Sequence, residues 1–219
     1  MKRWFLCIMI LTLSLATVAE AGTWTSEPRT GRWDFSIMTR YSWSKDFTDE
    51  NGASLNFEDD LGWGFGFSNY VNENLNVGLV FAWHTMYYTA TAVGETAGDT
   101  HTYANTLDTR NIGLYGDYAF GTKKFKPYVS GNLGWMRANT NITADVDGGC
   151  YYYPYIGYAC GTWQASTYGG DFFTYGLGLG LRLDLSPNAF LKIGWEHSWN
   201  SSDIFDSNDI MRIDLGFML

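Results

Sequence analysis

The stretch Phe173-Thr174-Tyr175-Gly176-Leu177-Gly178-Leu179-Gly180-Leu181-Arg182-Leu183-Asp184-Leu185 decides the fold. Every odd position from Phe173 to Leu185 is large and apolar, and every even position is small or charged. A period of two separates side chains onto opposite faces only in a strand, so a helix is excluded here. One face is continuously apolar over seven side chains, while the other carries Gly176, Gly178, Gly180, Arg182 and Asp184. A soluble sheet shows the same alternation when one face covers a core. Two further observations separate these readings: whether the pattern recurs, and whether the chain is exported.

The pattern recurs seven times. Runs open at Trp33, Leu61, Leu75, Asn111, Tyr128, Phe190 and Met211, each alternating large apolar residues with small or polar ones. The connections alternate in length. Residues 45–60, 88–105, 139–171 and 200–208 are long and polar, whereas 70–74, 121–126 and 186–188 are short and turn-like. Short turns on one side and long loops on the other predict an all-β, eight-stranded antiparallel up-and-down transmembrane β-barrel with both ends on the periplasmic side. Runs of about ten residues suit tilted strands crossing a hydrocarbon layer. A lipocalin-like barrel would need a dry interior, which glycine and charge cannot supply. A secreted β-sandwich is the remaining alternative.

Residues 1–21 read as a cleaved signal peptide: Lys2 and Arg3, an apolar run from Trp4 to Leu15, then Ala19-Glu20-Ala21. Residues 22–219 then form one outer-membrane barrel domain. Its 12 basic and 22 acidic residues leave a net charge of −10, which argues against nucleic-acid binding. No later segment reaches the roughly 18 consecutive apolar residues of a membrane helix.

Three segments carry the resemblance to a family. Lys126-Pro127-Tyr128-Val129-Ser130-Gly131-Asn132-Leu133-Gly134 is similar to the fifth strand of the small OmpA/OmpW/OmpX-like outer-membrane barrels. Tyr175 to Trp199, a strand–turn–strand around Ser186-Pro187-Asn188, is similar to their sixth and seventh. Met211 to Leu219 resembles the terminal signal read by the barrel-insertion machinery, although this chain ends on Leu219 where Phe or Trp is usual. The resemblance implies an integral protein of a Gram-negative-type outer membrane with outer-membrane lipid and the insertion machinery as partners. It also implies a narrow channel for small solutes.

Parity places Arg40, Arg182, Lys192 and Arg212 inward with Asp34, Asp117, Asp184, Glu196 and Asp214. The turn at Pro187 brings Asp184 and Lys192 within cross-strand reach. Such charges make either an ion-pair network that replaces a core or a gated polar conduit. Gly62, Gly64, Gly66 on the second run and Gly176, Gly178, Gly180 on the sixth face each other across an eight-strand ring. They either leave a narrow lumen or make room for the arginines. Glu196-His197-Ser198 places adjacent His and Ser on opposite faces, so they cannot pair as base and nucleophile, and no enzyme is expected. The histidines lack metal-ligand spacing, and neither a metal nor another cofactor is expected.

After signal cleavage Cys150 and Cys160 are the only cysteines of an exported chain, and a disulfide between them is expected. Between them lie Tyr151, Tyr152, Tyr153, Tyr155 and Tyr158. These five give the loop 139–171 an amphipathic recognition surface. A surface recognition or adhesion protein, or a structural envelope protein, is therefore the alternative to a channel.

Overall fold

A computed structural model describes residues 28–48, 53–94, 100–121, 124–140, 150–153, 157–160, 169–201 and 207–219. The segment 1–21 and Tyr155 lie outside the described residues. The strands are β1 (Trp33–Ser42), β2 (Lys45–Thr48), β3 (Ser54–Phe57), β4 (Asp60–Tyr70), β5 (Leu75–Gly94) and β6 (Thr100–Ala119). They continue with β7 (Phe125–Asn139), β8 (Cys150–Tyr153), β9 (Gly157–Cys160), β10 (Gly169–Ser186), β11 (Ala189–Asn200) and β12 (Ser207–Met218).

The eight alternating runs are β1, β4, β5, β6, β7, β10, β11 and β12. Each pairs antiparallel with the next. β1 then pairs with β12 from Asp34↔Met218 to Ser42↔Ile210, so the sheet closes on itself. Closure satisfies every backbone group within the wall, as a hydrocarbon surround demands. Leu177, Leu179 and Leu181 face outward and are 63%, 58% and 57% exposed. Asp34, Arg182 and Asp214 face inward and are buried. Lipid, and not a protein core, covers the apolar face.

The short connections hold the periplasmic end. Asn72 Oδ1 accepts from the backbone N–H groups of Asn74 (2.9 Å) and Leu75 (2.8 Å), which fixes the turn between β4 and β5. In the same turn, the Glu73 carboxylate accepts from the N–H groups of Arg29 and Thr30 and from the Thr30 hydroxyl. The Arg29 N–H bond, with the Thr30 hydroxyl next, holds the Glu73 carboxyl below its ordinary value. Gly31, at φ 82°, turns the lead peptide into β1 in a region few side chains adopt.

Two stretches expected as loops are strands. Residues 45–60 contain the β2–β3 hairpin, and β3 pairs with β5 through Ser54↔Thr91 to Phe57↔Tyr88. Residues 88–105 continue β5 and β6, paired out to Val93↔Thr100. Their Thr, Tyr and Val content favours strands even where both faces look polar. The alternating Tyr88 and Ala90 join Phe57, Leu107 and Ala138 in a buried apolar cluster inside the upper barrel. β5 and β6 have 20 residues each, and a crossing strand needs only about ten. The remainder stands above the membrane as a projecting sheet. The loop 139–171 likewise contains a short hairpin, β8–β9, whose β8 pairs with the tip of β5.

Candidate functional site: the barrel interior

Inward positions of an eight-stranded barrel meet near its axis, so their side chains must fill it. At the periplasmic end Asp184 is the hub. Its carboxylate pairs with Arg29, with Lys126 Nζ at 3.1 Å and with Arg182 Nε at 2.9 Å. Arg182 Nη1 also reaches Asp34 Oδ2 at 3.2 Å, and Asn76 Nδ2 donates to the same oxygen at 3.0 Å. Phe190 and Tyr70 form an aromatic floor here with Met218. The Arg182 guanidinium carbon lies 3.8 Å from the Phe190 ring centroid.

The middle tier crosses the lumen. Lys192 Nζ on β11 pairs with Asp117 Oδ2 on β6 at 2.6 Å. Arg212 Nη2 lies 3.0 Å from Asp214 Oδ2 and 3.7 Å from Asp117 Oδ2. Arg40 and Arg212 are direct register partners, a like-charge pairing that disfavours a sheet. Glu196 resolves it by forking between them, with Oε1 3.0 Å from Arg40 Nη2 and Oε2 3.6 Å from Arg212 Nη1. Arg182 and Lys192 are also register partners. They diverge, one to Asp34 and Asp184 and the other to Asp117, and the Phe190 ring lies against both.

Asp184 and Lys192 are diagonal neighbours across the turn, as their spacing implies, yet they do not pair with each other. Register places Phe190 opposite Asp184, followed by a bulge at Asp184/Ser186. Lys192 therefore spans the lumen, and Asp184 takes three other cations. Two of these, Arg29 and Lys126, fell outside the inward set expected from the sequence. Lys126 shares the even parity of Tyr128 and Ser130 but reads as part of a basic turn. Arg29 sits in the polar lead before the first run and gives no sequence signal.

The inner glycines lie against larger neighbours. A Cβ on Gly62 would meet the His84 ring at 3.0 Å, and one on Gly66 would meet Tyr115 Oη at 3.2 Å. On β10, Gly176 faces Asn132 and Gly178 faces Ser130, while Gly180 lies under the Tyr128 ring. Gly64 lies against the Phe81 carbonyl and Ala82. Between the ion pairs and these rings remains a space of about 20 Å³ beside Arg40, Glu196 and Arg212. That is room for about one water.

Above this tier is a chamber of about 100 Å³. Ser198 lines it, whereas His197 lies on the outer wall with Nδ1 2.7 Å from Asp209 Oδ1 and its ring against Trp199. The two residues thus stand on opposite faces of β11. Among the described residues no group of three or more His, Cys, Asp or Glu is arranged to hold a metal. In the β8–β9 hairpin, Cys150 and Cys160 are register partners, as are Tyr152 and Tyr158, while Tyr151 pairs with Ala159 and Tyr153 with Gly157.

A closed eight-stranded wall with lipid-facing Leu, Phe and Trp is an outer-membrane architecture. The model of the outer membrane protein beta-barrel domain matches residues 5–218. The chain belongs to this family. It is an integral outer-membrane β-barrel of the Gram-negative type. Its fold is similar to OprG from Pseudomonas aeruginosa (TM-score 0.55, 12% identity, 87% of this chain and 97% of that one). It is similar also to Neisserial surface protein A (0.53, 14%, 85% and 96%). A third likeness is the N-terminal barrel domain of Pseudomonas aeruginosa OprF (0.51, 14%, 88% and 100%). At these identities the likeness is one of fold. Among curated proteins, no sequence matches this chain.

Proposed function

We propose that this barrel is closed to solutes and acts outward, as a surface recognition protein that presents the projecting sheet and the tyrosine-bearing β8–β9 hairpin. The observation that carries this reading is the interior. Two tiers of ion pairs cross the lumen from Arg29 to Arg40, and a space of about one water in size lies beside Arg40, Glu196 and Arg212 at the upper tier. The wall is lipid-bound in the outer membrane, and the upper halves of β5 and β6 are available to a partner outside the cell.

In planar bilayers the wild-type barrel will be electrically silent, and Arg212→Ala will be silent too, because Lys192, Asp117 and Tyr128 still occupy the tier. A second reading, a gated narrow channel for small solutes, is favoured by the chamber directly above the Arg40–Glu196 pair. On that reading Arg212→Ala conducts, and this outcome would overturn the closed-barrel proposal. Deleting Tyr151–Ala159 should abolish the binding of displaying cells to any surface that retains cells displaying the wild type, while leaving the barrel inserted. Unchanged retention would remove the hairpin from the proposal.

The hairpin register supports a Cys150–Cys160 disulfide, which would close a loop of about ten residues and restrict the unfolded chain by roughly 2–3 kcal/mol. Protein extracted from the outer membrane should therefore show no thiol titratable without reductant. Two free thiols would rule the bond out. Reduction should loosen the hairpin and leave the wall folded.

A further inference from the structure

The chamber in the upper barrel has two chemically different walls. Phe57, Leu107 and Ala138 of the buried apolar cluster supply one, with Met86 and Met136 beside them. Arg40, His84, Asn111, Thr174 and Ser198 supply the other. Among the described residues, the charged side chains that line it are Arg40 and Lys45, and the nearest carboxylate is that of Glu196, paired with Arg40 from below. Two of its donors are under-used. Arg40 gives Nη2 to Glu196, and its Nε and Nη1 have no protein partner among the described residues. His84 approaches Ser42 Oγ through Nδ1 at 3.5 Å, while its Nε2 is buried without a hydrogen-bond partner. Gly62 is the residue that admits the His84 ring, since a Cβ there would lie 2.8 Å from the Trp83 carbonyl and 3.0 Å from His84 Cγ. The wall is thus cut to hold His84 where it stands.

We infer that this chamber binds a small organic anion with an apolar tail, of the short-chain monocarboxylate class. The charge follows from the lining. The Arg40 donors that Glu196 leaves over, and a buried His84 Nε2 in its N–H tautomer, favour a group that is acceptor-only, and a carboxylate matches the guanidinium fork with two oxygens. The tail follows from Phe57, Leu107, Met86 and Met136, which a hydrated inorganic ion would leave uncovered. The size follows from the volume. About 100 Å³ is below the ~150 Å³ cavity that accepts benzene, so the roughly six heavy atoms of benzene are an upper bound for the ligand. Met86 and Leu107 of its wall stand at the base of the projecting sheet, but binding a small molecule inside the barrel does not require the recognition role.

The test uses the mature protein in detergent micelles with ¹³C-labelled methionine methyls. Met86 and Met136 line the chamber, whereas Met38 lies in the cluster with Val80 and Tyr115 and Met218 at the periplasmic floor. The probes are butyrate, 1-butanol, butylammonium and inorganic phosphate. Butyrate should shift Met86 and Met136 saturably and leave Met218 unmoved. 1-Butanol should bind roughly tenfold or more weakly, the difference a charge-assisted hydrogen bond makes. Butylammonium and phosphate should not compete with butyrate. Arg40→Gln should weaken butyrate roughly tenfold or more, and Leu107→Trp should abolish the shifts by filling the chamber. If Arg40→Gln fails to fold, His84→Phe makes the same measurement, with weakened butyrate binding expected. Absence of a butyrate shift, equal affinity for butylammonium or 1-butanol, or full butyrate binding by Leu107→Trp would each overturn the inference. Phosphate binding as tight as butyrate would overturn the apolar-tail assignment.

Discussion

Lys192→Met will destabilise the barrel by about 3–5 kcal/mol, the cost of leaving a buried charge uncompensated. Lys192 Nζ is the nearest cation to Asp117, at 2.6 Å, and both side chains are almost wholly buried. The other cation in reach is Arg212, at 3.7 Å. Arg212 is already committed to Asp214 at 3.0 Å and to Glu196 at 3.6 Å, so it cannot replace the lost ammonium without leaving another acid short. Asp117 Oδ1 already has no hydrogen-bond partner. The double variant Lys192→Met/Asp117→Leu should recover most of the loss, because an apolar pair of similar volume carries no desolvation cost. Urea unfolding in lipid vesicles measures both, with the heat-modifiable gel shift reporting the folded barrel. If Lys192→Met costs under about 1 kcal/mol, the pair behaves as a solvated one. The interior would then be wet, and the closed-barrel reading would lose its main support.

The wall was legible in the sequence because its signal is local. Alternation in Phe173–Leu185 is set by the two faces of one strand, and closure follows once eight such runs alternate with short and long connections. The interior was legible only as a set of inward residues. Which charge meets which depends on distances across the lumen, and parity within a strand carries no information about those. Asp184 and Lys192 are close in sequence yet take separate partners, while Lys192 and Asp117 pair across 75 positions. The glycines show the same limit. Gly180 reads as an empty wall position until Tyr128, two strands' width of sequence away, is seen filling it. The projecting halves of β5 and β6 were hidden for another reason. Above the membrane neither face needs to be uniformly apolar, so Thr89, Thr91 and Thr102 make a strand that resembles a polar loop.

Leu179→Arg will cost about 2–4 kcal/mol, whereas Phe173→Arg will cost about 1 kcal/mol or less. Both face outward on β10, and they differ in depth. Leu179 lies at the middle of the apolar row from Phe173 to Leu185, where an arginine cannot reach a headgroup. Phe173 is the last apolar position before Asp171, which carries a charge at the same face and pairs with Arg137 at 3.9 Å in a well-exposed contact. An arginine at 173 can extend to that level. Gly180→Ala is the control on the opposite face. It does not meet lipid, but its Cβ would stand 2.7 Å from both Gly194 Cα and Tyr128 Cζ, so it should cost about 1–3 kcal/mol by overpacking. The two penalties have different remedies. A smaller residue at 128 should relieve only the part of the Gly180→Ala cost that comes from the Tyr128 ring, because the Ile193 carbonyl and Gly194 Cα are backbone. It should leave Leu179→Arg unchanged, since an interior void does nothing for a charge in hydrocarbon. Equal costs at 179 and 173 would mean that the apolar band is misplaced along the strand. Relief of Leu179→Arg by Tyr128→Val would mean that residue 179 faces the lumen, and the assignment of the two faces would have to be exchanged.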